Sequence, residues 1–152
     1  GRGLWLKNDG KGKLSPVRGE ESGVIVWGEQ RGCAIGDFDE DGRVDLVVAQ
    51  NGAETKLFHN ENGRAGLRIR LKGPPGNPNG LGAVVRLKYA DGGFGPAREI
   101  HGGSGYLSQD STTAVLGART QATHVSVRWP GGKNVGGPVP AGAKEVVADF
   151  AK

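Results

Sequence analysis

The chain has 152 residues, which is enough for one ordinary domain or two small domains with a buried core. Glycine is unusually abundant, at 29 residues, but it follows no three-residue period, so a collagen helix is excluded. The net charge of +4 comes with no DNA- or RNA-reading motif and no membrane-spanning apolar run, so we expect neither a nucleic-acid partner nor a membrane span.

Short apolar runs separated by glycine and other turn residues predict an all-β protein, because the strands of sandwiches, barrels and propellers have this pattern. No stretch of a dozen residues spaces its apolar side chains as a helix would, so we expect little or no helix. The predicted strands lie near residues 4–7, 24–27, 32–36, 44–49, 56–59, 67–72, 83–89, 97–101, 112–116, 123–129 and 144–149.

Turn-forming residues cluster at positions 60–63 and divide the chain into two parts. We predict that residues 1–62 form one small unit and that residues 63–152 form a small antiparallel β-sandwich-like domain. In the second part, Pro130 is expected to end the strand that contains Trp129, because proline cannot donate to a β-ladder. Since the sequence contains no methionine, we also expect the chain to be a piece of a longer protein.

The segment from position 37 to position 45 has the composition of a calcium-binding loop. Carboxylates fall at loop positions 1, 3, 5 and 9, and alternation at the first three lets them converge on one point as the chain curls. Gly42, at position 6, permits the sharp bend because glycine adopts positive φ at little cost. Hard oxygen ligands in this number suit Ca²⁺. The predicted ligands are the side chains of Asp37, Asp39, Asp41 and Asp45 and the backbone carbonyl of Arg43, at position 7.

This loop has two alternative interpretations. An Asp- and Gly-rich segment can be only a solvated turn, but like charges this close would repel one another without a cation. An EF-hand would need flanking helices and a glutamate at position 12, where this sequence has Val48 in a predicted strand. We therefore expect a calcium loop between two strands, with the side chains of Glu40 and Arg43 pointing outward.

Residues 32–48 resemble the calcium-binding FG-GAP (VCBS) repeat of integrin-α-like β-propellers. Residues 4–12 and 57–63 resemble the asparagine–glycine segments that precede and follow the loop in each repeat. The resemblance implies that the matching aspartates and the position-7 carbonyl bind calcium, and that residues 1–62 form a single propeller blade. One blade cannot close a ring of about four to eight blades, so upstream repeats or another copy would be needed to cover it.

The second part contains four motifs in the order found in the ASPIC/UnbV domain, at residues 79–85, 98–100, 103–109 and 127–132. That domain typically follows a run of FG-GAP repeats. One departure lies at residues 113–117, where the family usually has an FGLG-like run with phenylalanine and this chain has Thr-Ala-Val-Leu-Gly. The segment at 103–109 is interpreted as a tight strand crossing rather than a ligand pocket.

Together these resemblances imply a non-enzymatic, calcium-binding module for adhesion or protein interaction, secreted to an extracellular or periplasmic location, with calcium in a structural role. Its partner would be a protein or a glycan at a cell surface or in a matrix. The alternative is a carbohydrate-binding module that uses a basic or tryptophan-bearing face. A hydrolase built on Glu99, His101 and Ser104 is disfavoured, because a nucleophile elbow needs glycine where Tyr106 stands.

Other residues are interpreted as structural. Cys33 is predicted to be a small core residue, and His59 and His124 are treated as isolated because they lack metal-ligand spacing with it. The three tryptophans are assigned to packing in the core or between blades, namely Trp5, Trp27 and Trp129.

The charge is unevenly distributed along the chain. Residues 1–62 hold 8 Lys and Arg against 11 Asp and Glu, whereas residues 63–152 hold 12 against 5. An excess of basic residues favours anionic partners. However, the basic residues alternate with apolar ones at 68–72, as on the solvent-facing side of an ordinary strand. We therefore interpret these basic residues as solvent-facing rather than as a binding site.

Overall fold

A computed structural model describes residues 3–152 of the chain. Those residues contain one helix, α1 (Gly19–Ser22), which ends where Gly23 adopts a left-handed conformation. The all-β fold class predicted from the sequence is confirmed. The strands are β1 (Trp5–Asn8), β2 (Leu14–Val17), β3 (Glu29–Gly36), β4 (Asp45–Asn51), β5 (Ala53–Phe58), β6 (Leu67–Lys72), β7 (Val84–Tyr89), β8 (Arg98–Glu99), β9 (Ala114–Leu116), β10 (Ala122–Arg128), β11 (Asn134–Pro138) and β12 (Glu145–Asp149).

The first part of the chain forms two small antiparallel sheets. β1 pairs with β2, and β3, β4 and β5 form a three-stranded sheet in that order. Val26 and Val48 are buried here, whereas Trp5 and Trp27 are 52% and 69% exposed. Neither tryptophan therefore belongs to the core, and their packing between blades stays a prediction.

The second part consists of two sheets around one hydrophobic core. One sheet is antiparallel, in the order β11–β10–β7–β8, and the other has the order β12–β6–β9. The core draws Ile69 from the second sheet and Val85 and Val127 from the first, which gives the predicted sandwich-like arrangement. β12 runs parallel to β6, with Glu145 opposite Arg68, and this parallel pair has no signal in the sequence.

The strands of the second part alternate between core and solvent. In β7 the buried Val85, Leu87 and Tyr89 alternate with outward-facing residues, as a half-buried strand requires. Trp129, just after β10, is 1% exposed and its ring packs edge-on against Phe150, with 5.2 Å between the ring centroids. Trp129 is thus a core residue, as predicted.

Several predicted boundaries are wrong. The strand predicted at 24–27 is absent, and β3, predicted at 32–36, begins three residues earlier, at Glu29. β2 and β11 are additional strands whose proline and glycine residues gave no strand signal, since pairing with β1 and β10 forms them. The division of the chain at residues 62 and 63 stays a prediction. Within residues 3–152 no helix has the length and apolar character to cross a bilayer.

Candidate metal centre

The acidic loop connects β3 to β4 and is held in a tight curl. Gly42 has a φ of 87° and Glu40 a φ of 63°, both in the left-handed region. A Cβ at Gly42 would lie 3.0 Å from the carbonyl oxygen of Gly66, whose amide donates to the Gly42 carbonyl at 2.8 Å. Position 6 therefore needs glycine both for its φ and for this close approach of the backbone.

Backbone amides of the loop orient the first and last aspartates. Asp37 accepts hydrogen bonds from the amides of Asp41, at 3.0 Å, and Gly42, at 2.9 Å. Asp45, which is 3% exposed, accepts them from the amides of Phe38, at 3.1 Å, and Asn60, at 2.8 Å. Both carboxylates are thus fixed by the curled backbone, and the loop is preorganised.

Three of the four predicted carboxylates converge. One oxygen each of Asp37, Asp39 and Asp45 lies within 4.8 Å of the others. Two oxygens bound to one Ca²⁺ at about 2.3–2.6 Å lie at most about 5 Å apart, so this separation fits a single calcium ion. The donor set is all oxygen, as calcium prefers.

Asp41 belongs instead to a second group, with Asp39 and His59. Its Oδ1 accepts the Arg43 amide at 2.7 Å, and its Oδ2 forms an ion pair with the Arg43 guanidinium. Arg43 Nε also donates to the carbonyl of Asn60 at 2.6 Å. The expectation that the Arg43 side chain points outward is therefore wrong, because it folds back over the loop. Its backbone carbonyl as a calcium ligand stays a prediction.

Arg68 is one of two residues of this site, with His59, that the sequence analysis missed. Its side chain is 7% exposed and lies 2.6 Å from the Asp37 carboxylate, which is 1% exposed. The same guanidinium contacts Glu40 at 3.1 Å and Glu145 at 3.2 Å. The interpretation of Arg68 as an ordinary solvent-facing residue is wrong, because the acidic loop covers it, and it joins the loop to β6 and β12.

This ion-pair network shifts the ionisation of its members. Burial raises the pKa of Asp37, but hydrogen bonds from Arg68, Gly42 and Asp41 and the charge of Arg68 outweigh it, so the pKa lies below its ordinary value. For Arg68, burial lowers the pKa, but its hydrogen bonds to Asp37 and Glu145 outweigh that effect and raise it. The buried pair is therefore charged at neutral pH.

Glu145 gives a pH prediction that involves no proposed metal ligand. Burial raises its pKa, but hydrogen bonds from Arg70 and Arg68 outweigh it, so the pKa lies below the ordinary value of 4.5. Because the folded-state value is the lower one, this stabilisation is present above pH 4.5 and is lost as the pH falls through the folded-state pKa. We expect the melting temperature of Glu145→Gln to fall less on acidification than that of the unaltered chain. An identical acid profile would contradict the role of this ion pair.

His59 is not isolated. It follows β5, whose last residue lies at the same end of the strands as the β3–β4 loop. Its Nε2 lies 2.9 Å from Asp39. Its ring packs edge-on against Phe38, with 5.5 Å between the ring centroids. Antiparallel pairing of β4 with β5 places residues after β5 beside that loop, and this was the signal in the sequence that could have identified it.

The segment at 104–111 closes on the edge strand β3. Ser108 Oγ accepts the Cys33 amide at 3.0 Å, and Asp110 accepts the Ile35 amide at 3.0 Å. Cys33 is exposed, so its prediction as a core residue is wrong, because β3 is an edge strand of a thinly covered sheet. The hydroxyl of Ser104 accepts the Asp110 amide at 2.9 Å and so helps to shape this segment.

These features describe an all-β chain in which an acidic loop lies against a sandwich-like domain. Residues 73–137, from the end of β6 into β11, match the family described as ASPIC and UnbV. The predicted resemblance to that domain is confirmed for this range, whereas the FG-GAP resemblance stays a prediction.

The chain is also similar to cartilage acidic protein 1 from three vertebrates. It is 33% identical to the Xenopus tropicalis protein over 129 residues, which is 82% of this chain and 20% of that relative. With the Homo sapiens protein the identity is 32% over 128 residues, or 81% and 19% of the two chains. With the Mus musculus protein it is 34% over 113 residues, or 71% and 17%. The chain spans about a fifth of the length of these relatives.

Proposed function

We propose that the chain is a secreted, extracellular or periplasmic interaction module stabilised by calcium. In this proposal residues 1–62 are one FG-GAP (VCBS) blade and residues 63–152 are an ASPIC/UnbV domain. The observation that carries the calcium assignment is the convergence of Asp37, Asp39 and Asp45 within 4.8 Å. Calcium would neutralise these carboxylates and fix the connection between β3 and β4.

The chain's own residues set up the site in this account. The amides of Gly42 and Phe38 orient the carboxylates of Asp37 and Asp45. Arg68 balances part of the charge on Asp37 from the side of the second part. The module's partner would be a protein or glycan at a cell surface or in a matrix, with upstream repeats or another copy covering the blade. We propose no enzymatic role.

Thermal melting of chelator-stripped protein tests the calcium assignment. We expect calcium to raise the melting temperature, by mass action equivalent to about 2.7 kcal/mol at a hundredfold excess over the dissociation constant. Magnesium should protect poorly at equal concentration, because it requires shorter octahedral bonds and retains its waters.

A pair of matched variants controls this measurement. Asp39→Asn should weaken the calcium response while the fold persists, because Asp39 is at the exposed rim and asparagine keeps one oxygen. Asp91→Asn removes the same charge from an exposed pair with Arg119, far along the chain, and should leave the response unchanged. Equal responses to magnesium and calcium, or equal effects of both variants, would indicate charge screening alone.

A carbohydrate-binding module is the second candidate, favoured by the exposure of Trp27 and Trp5, which are 69% and 52% exposed. Aromatic side chains with an exposed face can pack against sugar rings. Glycan-array binding that is lost in Trp27→Ala and kept in Phe94→Ala, a second exposed aromatic residue, would support this candidate. Array binding that is unchanged in Trp27→Ala would reject Trp27 as its site.

A further inference from the structure

The outer face of the sheet β11–β10–β7–β8 carries three exposed cations. Arg86 and Lys88 alternate with core residues along β7, and Arg128 lies on the adjacent strand β10. The register places Arg86 opposite Ser126 and Arg128 opposite Val84, so Arg128 is the diagonal neighbour of Arg86. All three side chains therefore stand on one face of two adjacent strands, which we call the basic face.

The cations of the basic face have no carboxylate within ion-pair distance among residues 3–152. Each side-chain carboxylate of the second part lies against another basic residue, including Glu99, which the register places opposite Val84 on this same face. These pairs are Asp91 with Arg119, Glu99 with His101, Asp110 with Arg98, Glu145 with Arg68 and Arg70, and Asp149 with Lys72. The basic face therefore brings together, on two adjacent strands, three cations that have no such partner.

The shape of the basic face favours an extended ligand. Its centre is flat, because Arg86 is followed across the sheet by Ser126 and then by Gly136. Phe94, which is 53% exposed, lies at its margin, with its ring centroid 6.0 Å from Lys88 Nζ. A protein partner usually needs buried aromatic or aliphatic anchors, whereas the central positions of the basic face hold Arg86, Ser126 and Gly136.

The spacing of the charges suits a polymer with repeated anionic groups. Arg86 and Lys88 are two residues apart on one strand, which corresponds to about 7 Å. Arg128 is diagonal to Arg86, at about 7–8 Å. Guanidinium groups bind sulfate, phosphate and carboxylate oxygens through paired hydrogen bonds, with more geometric selectivity than an ammonium group.

We propose that the basic face binds the sulfate and carboxylate groups of an extended anionic polysaccharide. This inference rests on one part of the proposed function, namely that the chain is an interaction module. It does not depend on calcium binding. Arg86 and Arg128 would each bind one anionic group, and Lys88 would contribute a third positive charge beside them. Ser126, opposite Arg86 and two residues before Arg128 on β10, would add a hydroxyl donor.

Binding of the full chain to heparin, measured by calorimetry at about 0.15 M salt, tests the proposal, because weak nonspecific attraction is screened at that ionic strength. The double variant R86Q/R128Q is expected to bind at least about tenfold more weakly, since each arginine supplies charged hydrogen bonds. Its matched control is R70Q/K72Q, which removes the same charge from exposed, ion-paired residues of the other sheet. The control should bind as the unaltered chain does, and desulfated heparin, which keeps only its carboxylates, should bind more weakly.

Three outcomes would overturn the proposal. Heparin binding that is absent in the unaltered chain, or lost equally in both double variants, would mean that no specific site exists on the basic face. Equal or tighter binding to single-stranded DNA, anionic vesicles or poly-glutamate would assign the face to another class of ligand. Because Arg86 and Arg128 are exposed, R86Q/R128Q should melt as the unaltered chain does, and R128E should bind more weakly than R128Q.

The same titration with calcium and with chelator separates this proposal from the calcium assignment. We expect equal heparin affinity in both conditions. A chain that binds heparin but shows no calcium-dependent melting would contradict the calcium site and leave the basic face supported. A chain that calcium stabilises but that does not bind heparin would contradict the polysaccharide site on the basic face and leave the calcium site supported.

Discussion

Replacing Arg68 with methionine is expected to destabilise the chain by about 3–5 kcal/mol, the range found when one member of a buried ion pair is removed. The variant leaves the Asp37 carboxylate, which is 1% exposed, without its cation, and it removes a partner of Glu145. Methionine preserves most of the side-chain volume, so the loss reports charge rather than a cavity. Urea denaturation at neutral pH, with calcium absent, measures it.

The control for this variant is Arg70→Met. Arg70 is two residues along the same strand and pairs with the same glutamate at 3.1 Å, but its side chain is 60% exposed. Surface ion pairs contribute about 0–1 kcal/mol, so we expect a small effect. Similar losses in the two variants would contradict the view that Arg68 joins the acidic loop to the sandwich.

A fragment of residues 64–152 is expected to fold cooperatively and to melt at a temperature that chelator does not change. Every residue of the main hydrophobic core lies at or beyond Leu67, and this part retains both sheets of the sandwich. Residues 1–62 alone should stay largely unfolded or aggregate, since small sheets with open edges are unstable. Circular dichroism of both fragments measures this.

The opposite result would remove the predicted domain boundary. A fragment 64–152 that is disordered alone, and orders only when residues 1–62 are added, would mean that the two parts share one folding unit. Contacts that cross position 63 already exist, including those of Arg68 with Asp37 and of Ser108 with Cys33. We expect these contacts to add stability without being required for the sandwich to fold.

The fold was predictable where a strand's own residues determine its pairing. β6 matches its predicted range, because apolar and polar residues alternate through it. β11 was not predictable, since its glycines and proline disfavour a strand and only pairing with β10 forms it. The parallel pairing of β12 with β6 depends on the path of the chain around the sandwich, which no local pattern encodes.

The candidate site was also predictable only where residues close together in the sequence form it. The aspartates lie within nine residues, so local curling suffices to bring Asp37, Asp39 and Asp45 together. His59 and Arg68 reach them through sheet pairing and through packing of the two parts, at sequence separations of 20 and 31 residues. Arg68, Arg70 and Lys72 all alternate with apolar residues along β6, so the sequence pattern does not distinguish the buried Arg68 from the two exposed residues.

Calorimetric titration of calcium into the chelator-stripped chain tests the central claim most directly. We predict saturable binding of one ion per chain, weakened by at least about tenfold in Asp39→Ala, which removes a charged oxygen ligand. The control Asp91→Ala, in an exposed ion pair outside the loop, should bind calcium as the unaltered chain does. The absence of saturable calcium binding, or binding that Asp39→Ala leaves unchanged, would contradict the assignment of residues 37–45 as a calcium loop.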